Sequence, residues 1–316
     1  MRPLSRVAPV SMLAMCVAAI AGCASDTTAP STPTLSTAEA NRIGTHLARE
    51  LGASMSVVAA GGNAGAIASI RGTPARVAAA FSRTSVASQS TGDIAPACPS
   101  LDNTIDSDGD GVPDDATATF ALPQCRGISG NDTTEITGTV HITDPVASPP
   151  PNPAAFGFTA ALADFTVRFG AADAATSFTE TRNGGEALVF APAGLEQAHH
   201  MSIVRQDSSG TTLVTEHLQA AFVPAQGSAL TPGQALPNGQ FVATGASSWQ
   251  HGSTAAEMDV ATTVPLAYDA SCAAGAPTPF RSGEVRARAV NPGAQAIVRI
   301  VFANCQAPTI TLLAHN

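Results

Sequence analysis

The sequence contains no lysine, and charged residues make up only 12% of the chain. All 15 basic residues are arginines that are scattered without a cluster, and the formal net charge is −9. A nucleic-acid-binding domain normally carries a basic patch, and a protein held on anionic lipid by charge carries a polybasic segment. The composition therefore predicts no nucleic-acid partner and no electrostatic attachment to a membrane.

Aromatic residues are equally scarce: they make up 4% of the chain, with one Trp and one Tyr, although 44% of all residues are hydrophobic. The core must therefore consist mainly of small and β-branched side chains, with Trp249 as a packing anchor or rim residue. Paired acids on a β-scaffold can hydrolyse glycosides, but carbohydrate sites usually also offer several aromatic platforms. A hydrolase is thus a secondary alternative, and the acids that could serve it are Asp164, Glu180, Glu186, Glu216, Glu257 and Asp259.

Common catalytic motifs are missing as well, since the chain has no GxSxG, HExxH, Walker or Rossmann pattern. No CxxC spacing occurs, so neither a zinc site of that kind nor thiol redox chemistry is indicated. His199 and His200 form the one adjacent histidine pair and could ligate a metal with His217 or His251. We favour the alternative that these are surface or strand-end histidines, and we expect a protein that is not an enzyme.

Residues 1–22 have the pattern of an export signal, with two early arginines and a short apolar run over Ser11–Ile20. The run is too short to span a bilayer as a stable helix. It ends in Ile20-Ala21-Gly22-Cys23, which resembles a bacterial lipobox. The resemblance implies cleavage before Cys23 and lipidation of that residue, and several acyl chains together anchor a protein firmly. Ala24 after the cysteine favours the outer membrane over the inner membrane of the cell envelope.

Residues 23–35 are rich in Ser, Thr and Pro and predict a flexible tether. A helical and irregular segment, 36–97, follows. Ser36 and Glu39 have capping-box spacing, and a helix to about residue 60 is expected because Ile43, Leu47 and Leu51 recur every four residues. We expect this helix to cover one edge of a β domain; the alternative is a helix that binds a partner or a membrane surface.

Four cysteines remain once Cys16 leaves with the signal and Cys23 is lipidated. An even number in an exported protein suggests two disulfides, with three possible connectivities. Pairing of neighbours is the simplest connectivity, because each pair then encloses one compact segment. We therefore predict the bonds Cys98–Cys125 and Cys272–Cys305.

An acidic segment lies within the first of these predicted loops, residues 98–125, and has five carboxylates in ten residues. It resembles the DxDxDG calcium repeats of thrombospondin type 3 and related bacterial modules. The resemblance implies a structural Ca²⁺, which prefers six to eight oxygen ligands. Thr117 stands where an EF-hand has its bidentate Glu, and a solvated acidic turn is the alternative. The predicted ligands are Asp106, Asp108, Asp110, Asp114 and the backbone carbonyl of Val112.

From 126 to 316 the sequence predicts an antiparallel β domain of about ten to twelve strands, as a sandwich or a strongly curved meander. Glu135–Thr143 alternates between apolar and polar residues. The apolar phase changes near Ala163-Asp164, which predicts a β-bulge. Asn183-Gly184 predicts one hairpin turn, and Asp207–Gly210 predicts another.

Together these features predict a non-enzymatic lipoprotein of the cell envelope that acts as a binding or scaffolding module. An alternative is a carrier of an apolar ligand or lipid, in the manner of lipoprotein-sorting proteins, with the ligand in the cavity of a curved sheet. The chain also resembles Ala- and Thr-rich lipoproteins of bacteria with GC-rich genomes. That resemblance implies no particular activity.

Overall fold

The structure is a computed structural model that describes residues 35–61, 98–103, 105–108, 112–145, 157–171, 174–191, 194–230, 236–273, 276–290 and 296–314. The predicted signal, Cys23 and Asp110 lie outside these residues. No helix in the described part of the chain is both long enough and apolar enough to cross a membrane.

Most of the described chain is β-strand, with one long helix near its start. The helices are α1 (Thr37–Gly61) and the short α2 (Ala270–Ala273), and a 3-10 turn covers Ala174–Thr176. The strands are β1 (Ser100–Leu101), β2 (Asp115–Phe120), β3 (Arg126–Ser129), β4 (Asp132–Thr143), β5 (Gly157–Gly170), β6 (Phe178–Ala191), β7 (Gly194–Asp207), β8 (Gly210–Pro224), β9 (Gly239–His251), β10 (Thr254–Tyr268), β11 (Phe280–Ala289), β12 (Ala296–Ala303) and β13 (Thr309–Ala314).

All thirteen strands belong to one antiparallel sheet. Strand neighbours in the sheet are also neighbours along the chain, except that β3 is a side branch paired only with β4. The predicted mainly β, antiparallel fold is confirmed, and of the two architectures left open the sheet is a meander and not a sandwich.

The sheet curves around α1. The helix contacts both β6, where Arg182 bonds Glu50, and β13, where Ile310 lies against Gly44. These strands are seven steps apart in the sheet order. At about 4.8 Å per step a flat sheet would separate them by roughly 34 Å, far more than the 10–12 Å diameter of a helix. We call the face that contacts α1 the inner face, and the opposite face the outer face.

Alternating side chains supply the inner face with its apolar core. Along β9, for example, Phe241, Ala243 and Trp249 are buried, whereas Val242, Thr244 and Ser248 are exposed. Ile43 and Leu47 of α1 join the same core, so the predicted apolar stripe of the helix is confirmed. The helix packs on β12 and on the edge strand β13, as an edge cover would, and it also extends across the inner face to β6.

The predicted bulge and one predicted turn have opposite outcomes. The register between β5 and β6 shifts between Leu162 and Phe165, and Asp164 has a φ of 49°, which confirms the bulge. The Asn183-Gly184 turn is wrong, because β6 runs straight through it. Gly184 is required there for another reason: its φ is +143°, and a Cβ would lie 2.2 Å from the carbonyl oxygen of His200. The Asp207–Gly210 turn is confirmed between β7 and β8.

Two disulfides confirm the predicted pairing of neighbours. Cys98 and Cys125 have Cα atoms 5.1 Å apart, and those of Cys272 and Cys305 are 5.8 Å apart. The second bond joins α2 to the connection between β12 and β13.

Candidate functional site

The polar face of α1 is buried as well as its apolar face. Glu39, His46 and Glu50 are each less than one-tenth exposed. Ser36 caps the helix as predicted, since its hydroxyl oxygen accepts a hydrogen bond from the amide of Glu39 at 3.2 Å. The Glu39 carboxylate instead points to the sheet, where it contacts Trp249 and His251. A helix that is buried on both faces needs polar partners on the surface that it meets.

Those partners come from the inner face of β6, β7, β8 and β9. Because side chains alternate along a strand, polar residues two positions apart lie on the same face. Glu180 and Arg182 on β6 are such a pair, and both are buried. We call the combined set the buried polar cluster; its members are Glu39, Arg42, His46, Arg49, Glu50, Glu180, Arg182, Glu186, Gln197, His199, Arg205, Glu216, Trp249 and His251.

Arg182 is the centre of the cluster and is 1% exposed. Its two terminal nitrogens each donate a hydrogen bond of 2.9 Å to Glu50 of α1, and its Nε donates one of 2.8 Å to Glu180. Burial alone would lower the pKa of Arg182, but the two carboxylates raise it. Burial would likewise raise the pKa values of Glu50 and Glu180, yet the nearby arginines lower both to about 2. All three groups are therefore ionised near neutral pH.

Two further arginines complete this part of the cluster. Arg49 lies 3.1 Å from Glu50 Oε1 and 3.2 Å from Glu180 Oε2. Arg205 donates to Glu180 Oε2 at 3.1 Å, and its guanidinium carbon lies 4.1 Å above the ring of Phe178. The charge-assisted contacts thus join α1 to β6 and, through Glu180, to β7.

A chain of histidines and glutamates lies beside the arginines. His46 Nε2 is 2.7 Å from Glu216 Oε1, and His199 Nδ1 is 3.3 Å from Glu186 Oε1. Burial would raise the pKa of Glu216, but His46 and His199 lower it. Burial would lower the pKa of His199, but the Glu186 and Glu216 carboxylates raise it to about 10.

Several buried polar atoms in this part of the buried polar cluster lack a hydrogen-bond partner among the described residues. They are His199 Nε2, Glu216 Oε2 and both polar atoms of the Gln197 amide. His199 Nε2 and Glu216 Oε2 face each other at 3.5 Å. Donor atoms of Glu50, His199 and Glu216 all lie within 4.8 Å of one another, which is close enough for one metal ion.

Adjacent histidines of a strand point to opposite faces, so the four histidines do not form one group. The favoured interpretation as surface or strand-end residues fits His200 and His217 but not the buried His199. His199 is on the inner face, whereas His200 is on the outer face and stacks on His217 with ring centroids 4.1 Å apart. His251 is separate from both and lies 3.0 Å from Glu39. Trp249 is buried and donates to Glu39 at 3.3 Å, so it is a packing residue with a polar partner.

The predicted acids also divide between different places. Glu180, Glu186 and Glu216 are in the buried polar cluster. Asp164 is in the β5 bulge, and Glu257 and Asp259 are exposed on β10. The three inner acids contact arginines and histidines, and a converging pair of free carboxylates is not formed by the described residues.

The structure describes four of the five predicted calcium ligands. Asp114 accepts hydrogen bonds from the amide and hydroxyl of Ser107, the former at 2.8 Å. Asp108 and Val112 are buried, and Asp106 is partly buried. Calcium binding by this loop stays a prediction.

The sequence analysis did not identify His46, Arg49, Glu50, Arg182 or Gln197 as site residues. A signal existed for Arg182, because it alternates in phase with the candidate acid Glu180 and with the buried Phe178 and Leu188 along β6. The polar stripe of α1 was visible too, but nothing local to the helix indicates which strands it meets. No family model matches the chain, and neither the curated proteins nor the solved structures contain a significant match.

Proposed function

We propose that this protein is a non-enzymatic module of the bacterial cell envelope that is anchored by lipid on Cys23 and binds or scaffolds another envelope component. The observation that carries the proposal is the way in which α1 closes the inner face of the sheet. Ile43, Leu47 and Leu51 are at most 1% exposed, and Arg182 ties the opposite side of the helix to β6. The outer face is then the broad surface that remains for a partner.

A closed inner face favours a scaffold over a carrier. A carrier of an apolar ligand needs a largely preformed apolar cavity of several hundred Å³. Two clefts in the described part of the chain, of about 280 and 480 Å³, instead lie at the strand ends. His251 lines the smaller cleft, and Tyr268, Asp269 and Arg281 are among the residues that line the larger one. Both clefts include polar groups among their lining residues.

The outer face of β7, β8 and β9 has a composition that suits contact with another macromolecule. Many of its exposed side chains are small or polar and uncharged, such as Ser202, Gln219, Thr244 and Ser248 around the His200–His217 pair. The apolar Leu213, Val223 and Val242 are exposed there as well. Short polar side chains lose little conformational entropy when a partner covers them. If the protein instead binds its partner at the ends of the strands, the outer face is only hydrated. The crosslinking experiment described below distinguishes these two cases.

The lipid anchor is tested by replacing Cys23 with Ser and separating the membranes from the soluble fraction. We expect the wild-type protein to sediment with membranes and the variant to be released. Continued sedimentation of the variant would refute the anchor. The binding surface is tested in the same cells with a photo-crosslinking residue at Ser202 or Ser248.

We expect a discrete crosslinked partner from these two positions and none from Gln226, an exposed control in the loop between β8 and β9. Equal crosslinking from all three positions would refute the assigned face. Mass spectrometry of the detergent-extracted protein tests the carrier alternative by detecting bound lipid. One lipid molecule per chain, retained through purification, would overturn the scaffold in favour of the carrier.

A further inference from the structure

The unpartnered atoms of the buried polar cluster belong to inner-face residues of the adjacent strands β7 and β8. Gln197 and His199 are successive inner-face residues of β7, and Glu216 is on the adjacent β8. Buried polar atoms nearly always have a hydrogen-bond partner, and an atom that lacks one destabilises the folded state. His199 Nε2 and Glu216 Oε2 are two such atoms that face each other, which indicates that a further group belongs between them.

The spacing of the atoms fits a metal ion better than a direct hydrogen bond. At 3.5 Å, His199 Nε2 and Glu216 Oε2 are too far apart for a strong hydrogen bond. Two ligands at 2.0–2.2 Å from a tetrahedral ion are about 3.4 Å apart. Glu50 supplies a third donor within 4.8 Å of the other two. We propose that Glu50, His199 and Glu216 bind a divalent transition-metal ion such as Zn²⁺.

Each of these ligands is already oriented through its other atoms. Glu186 lies at 3.3 Å from His199 Nδ1, which leaves Nε2 directed at Glu216. His46 lies at 2.7 Å from Glu216 Oε1, which leaves Oε2 directed at His199. Carboxylates that hold the second nitrogen of a ligating histidine are a recurring feature of metal sites. The site is thus arranged before the ion arrives.

Glu50 is more constrained, because Arg182 contacts both of its oxygens. A carboxylate oxygen has two lone pairs, so Glu50 Oε2 can accept from Arg182 and still bind an ion. The charges allow a cation that replaces a proton: the carboxylates of Glu50, Glu180, Glu186 and Glu216 outnumber the three nearby guanidinium groups by one, and the protonated His199 imidazole balances that charge until an ion binds. Metal binding would displace a proton from His199, as is usual for histidine ligands.

The donor set selects the class of ion. One imidazole and two carboxylates suit Zn²⁺ and its neighbours in the first transition row, whereas Ca²⁺ prefers six to eight oxygens. Three protein ligands leave a fourth position, and the Gln197 amide is on the same face as that position. The ion would join α1 to the sheet directly. This inference is independent of the proposed function, because a scaffold can exist with or without the ion.

The test is loading of the full-length protein with Co²⁺, used as a spectroscopic probe for Zn²⁺, after treatment with a chelator. Because the site is buried, the protein is refolded in the presence of Co²⁺ with both disulfides intact. We expect one Co²⁺ per chain, visible absorption bands of a tetrahedral or five-coordinate ion, and displacement by Zn²⁺ but not by Ca²⁺. X-ray absorption should show nitrogen and oxygen ligands only, at about 2.0–2.2 Å.

The His199→Gln variant should lose the bands, and Glu186→Gln should weaken Co²⁺ binding by about 10- to 100-fold. The matched control is His200→Gln, since this neighbour is on the outer face and should leave binding unchanged. Circular dichroism confirms that each variant folds; if His199→Gln does not fold, the Glu186→Gln affinity and the wild-type X-ray absorption decide the question. Failure of the wild-type protein to take up Co²⁺, or loss of binding in His200→Gln instead, would overturn the proposal.

Discussion

Replacement of Arg182 by Met is the most direct perturbation of the contact between α1 and the sheet. Methionine keeps most of the volume of the side chain but removes its charge and all of its hydrogen-bond donors. Glu50 then loses two hydrogen bonds of 2.9 Å, and Glu180 loses one of 2.8 Å. Both carboxylates stay buried, so the variant contains negative charge that is only partly compensated.

The expected cost is about 3 kcal/mol of unfolding free energy. Removal of one partner from a buried ion pair typically costs 3–5 kcal/mol, because the remaining charge is desolvated without compensation. We take the low end of that range, because Arg49 still contacts both carboxylates and Arg205 still contacts Glu180. At about 2–4 °C per kcal/mol for a domain of this size, the melting temperature should fall by roughly 6–12 °C.

The assay is chemical denaturation at neutral pH of the chelator-treated protein, arranged as a double-mutant cycle with Glu50→Gln. The double variant should recover part of the loss, because it no longer contains the uncompensated Glu50 charge. Arg286→Met is the control: that arginine pairs with Glu284 but is 44% exposed, so its loss should cost less than about 1 kcal/mol. If Arg182→Met costs no more than Arg286→Met, the cluster does not fix the helix as argued.

Three other predictions concern separate parts of the fold. Replacement of Cys272 and Cys305 by Ser should lower stability by about 3–4 kcal/mol in the chain-entropy model, and thiol titration of the oxidised wild-type protein should find neither residue reactive. The Arg299 guanidinium, through its hydrogen bond, lowers the pKa of Glu284 from 4.5 to about 2. The stabilisation by Glu284 is therefore present above about pH 4.5 and lost as the pH falls towards 2. The unfolding free energies of Glu284→Gln and wild type, measured by denaturation, should differ by about 1 kcal/mol at pH 6 and converge near pH 2. Millimolar Ca²⁺ should raise the melting temperature of the wild type but not of Asp108→Ala, and an unchanged wild-type melting curve would contradict the calcium prediction.

The sheet was largely predictable, because its evidence is local. Alternation in β4 and the turn at Asp207–Gly210 each depend on a few consecutive residues, and both are present in the structure. Asn183-Gly184 misled the prediction for a physical reason. The pair is the usual signal for a hairpin, but here Gly184 is needed inside a strand, where the backbone of His200 comes too close for a Cβ. A single sequence does not distinguish these two uses of glycine.

The buried polar cluster was less predictable, because its contacts connect distant parts of the chain. Glu50 and Arg182 are 132 residues apart, and they meet only because the sheet curves around α1. The directions of His199 and His200 could nevertheless be predicted from the alternation of side chains along the strand. His199 is in phase with Leu195, Met201 and Ile203 along β7, so an inward direction for His199 and an outward one for His200 followed from alternation. Its glutamate partners did not follow, since that required the register of β6 and β8.

The two sides of α1 meet the sheet at different distances, and the side chains of the helix match that difference. Towards β13 the helix approaches so closely that a Cβ on Gly44 would lie 2.6 Å from the Ile310 side chain. Towards β6 and β8 the gap is filled by the long side chains of His46 and Glu50. Apolar residues of the same length could fill that gap, but they would pack in several ways, whereas paired charges accept one arrangement of donors and acceptors. We therefore infer that the cluster fixes the rotation of α1 in the sheet more than it adds net stability, which is consistent with the small net gain expected from buried ion pairs.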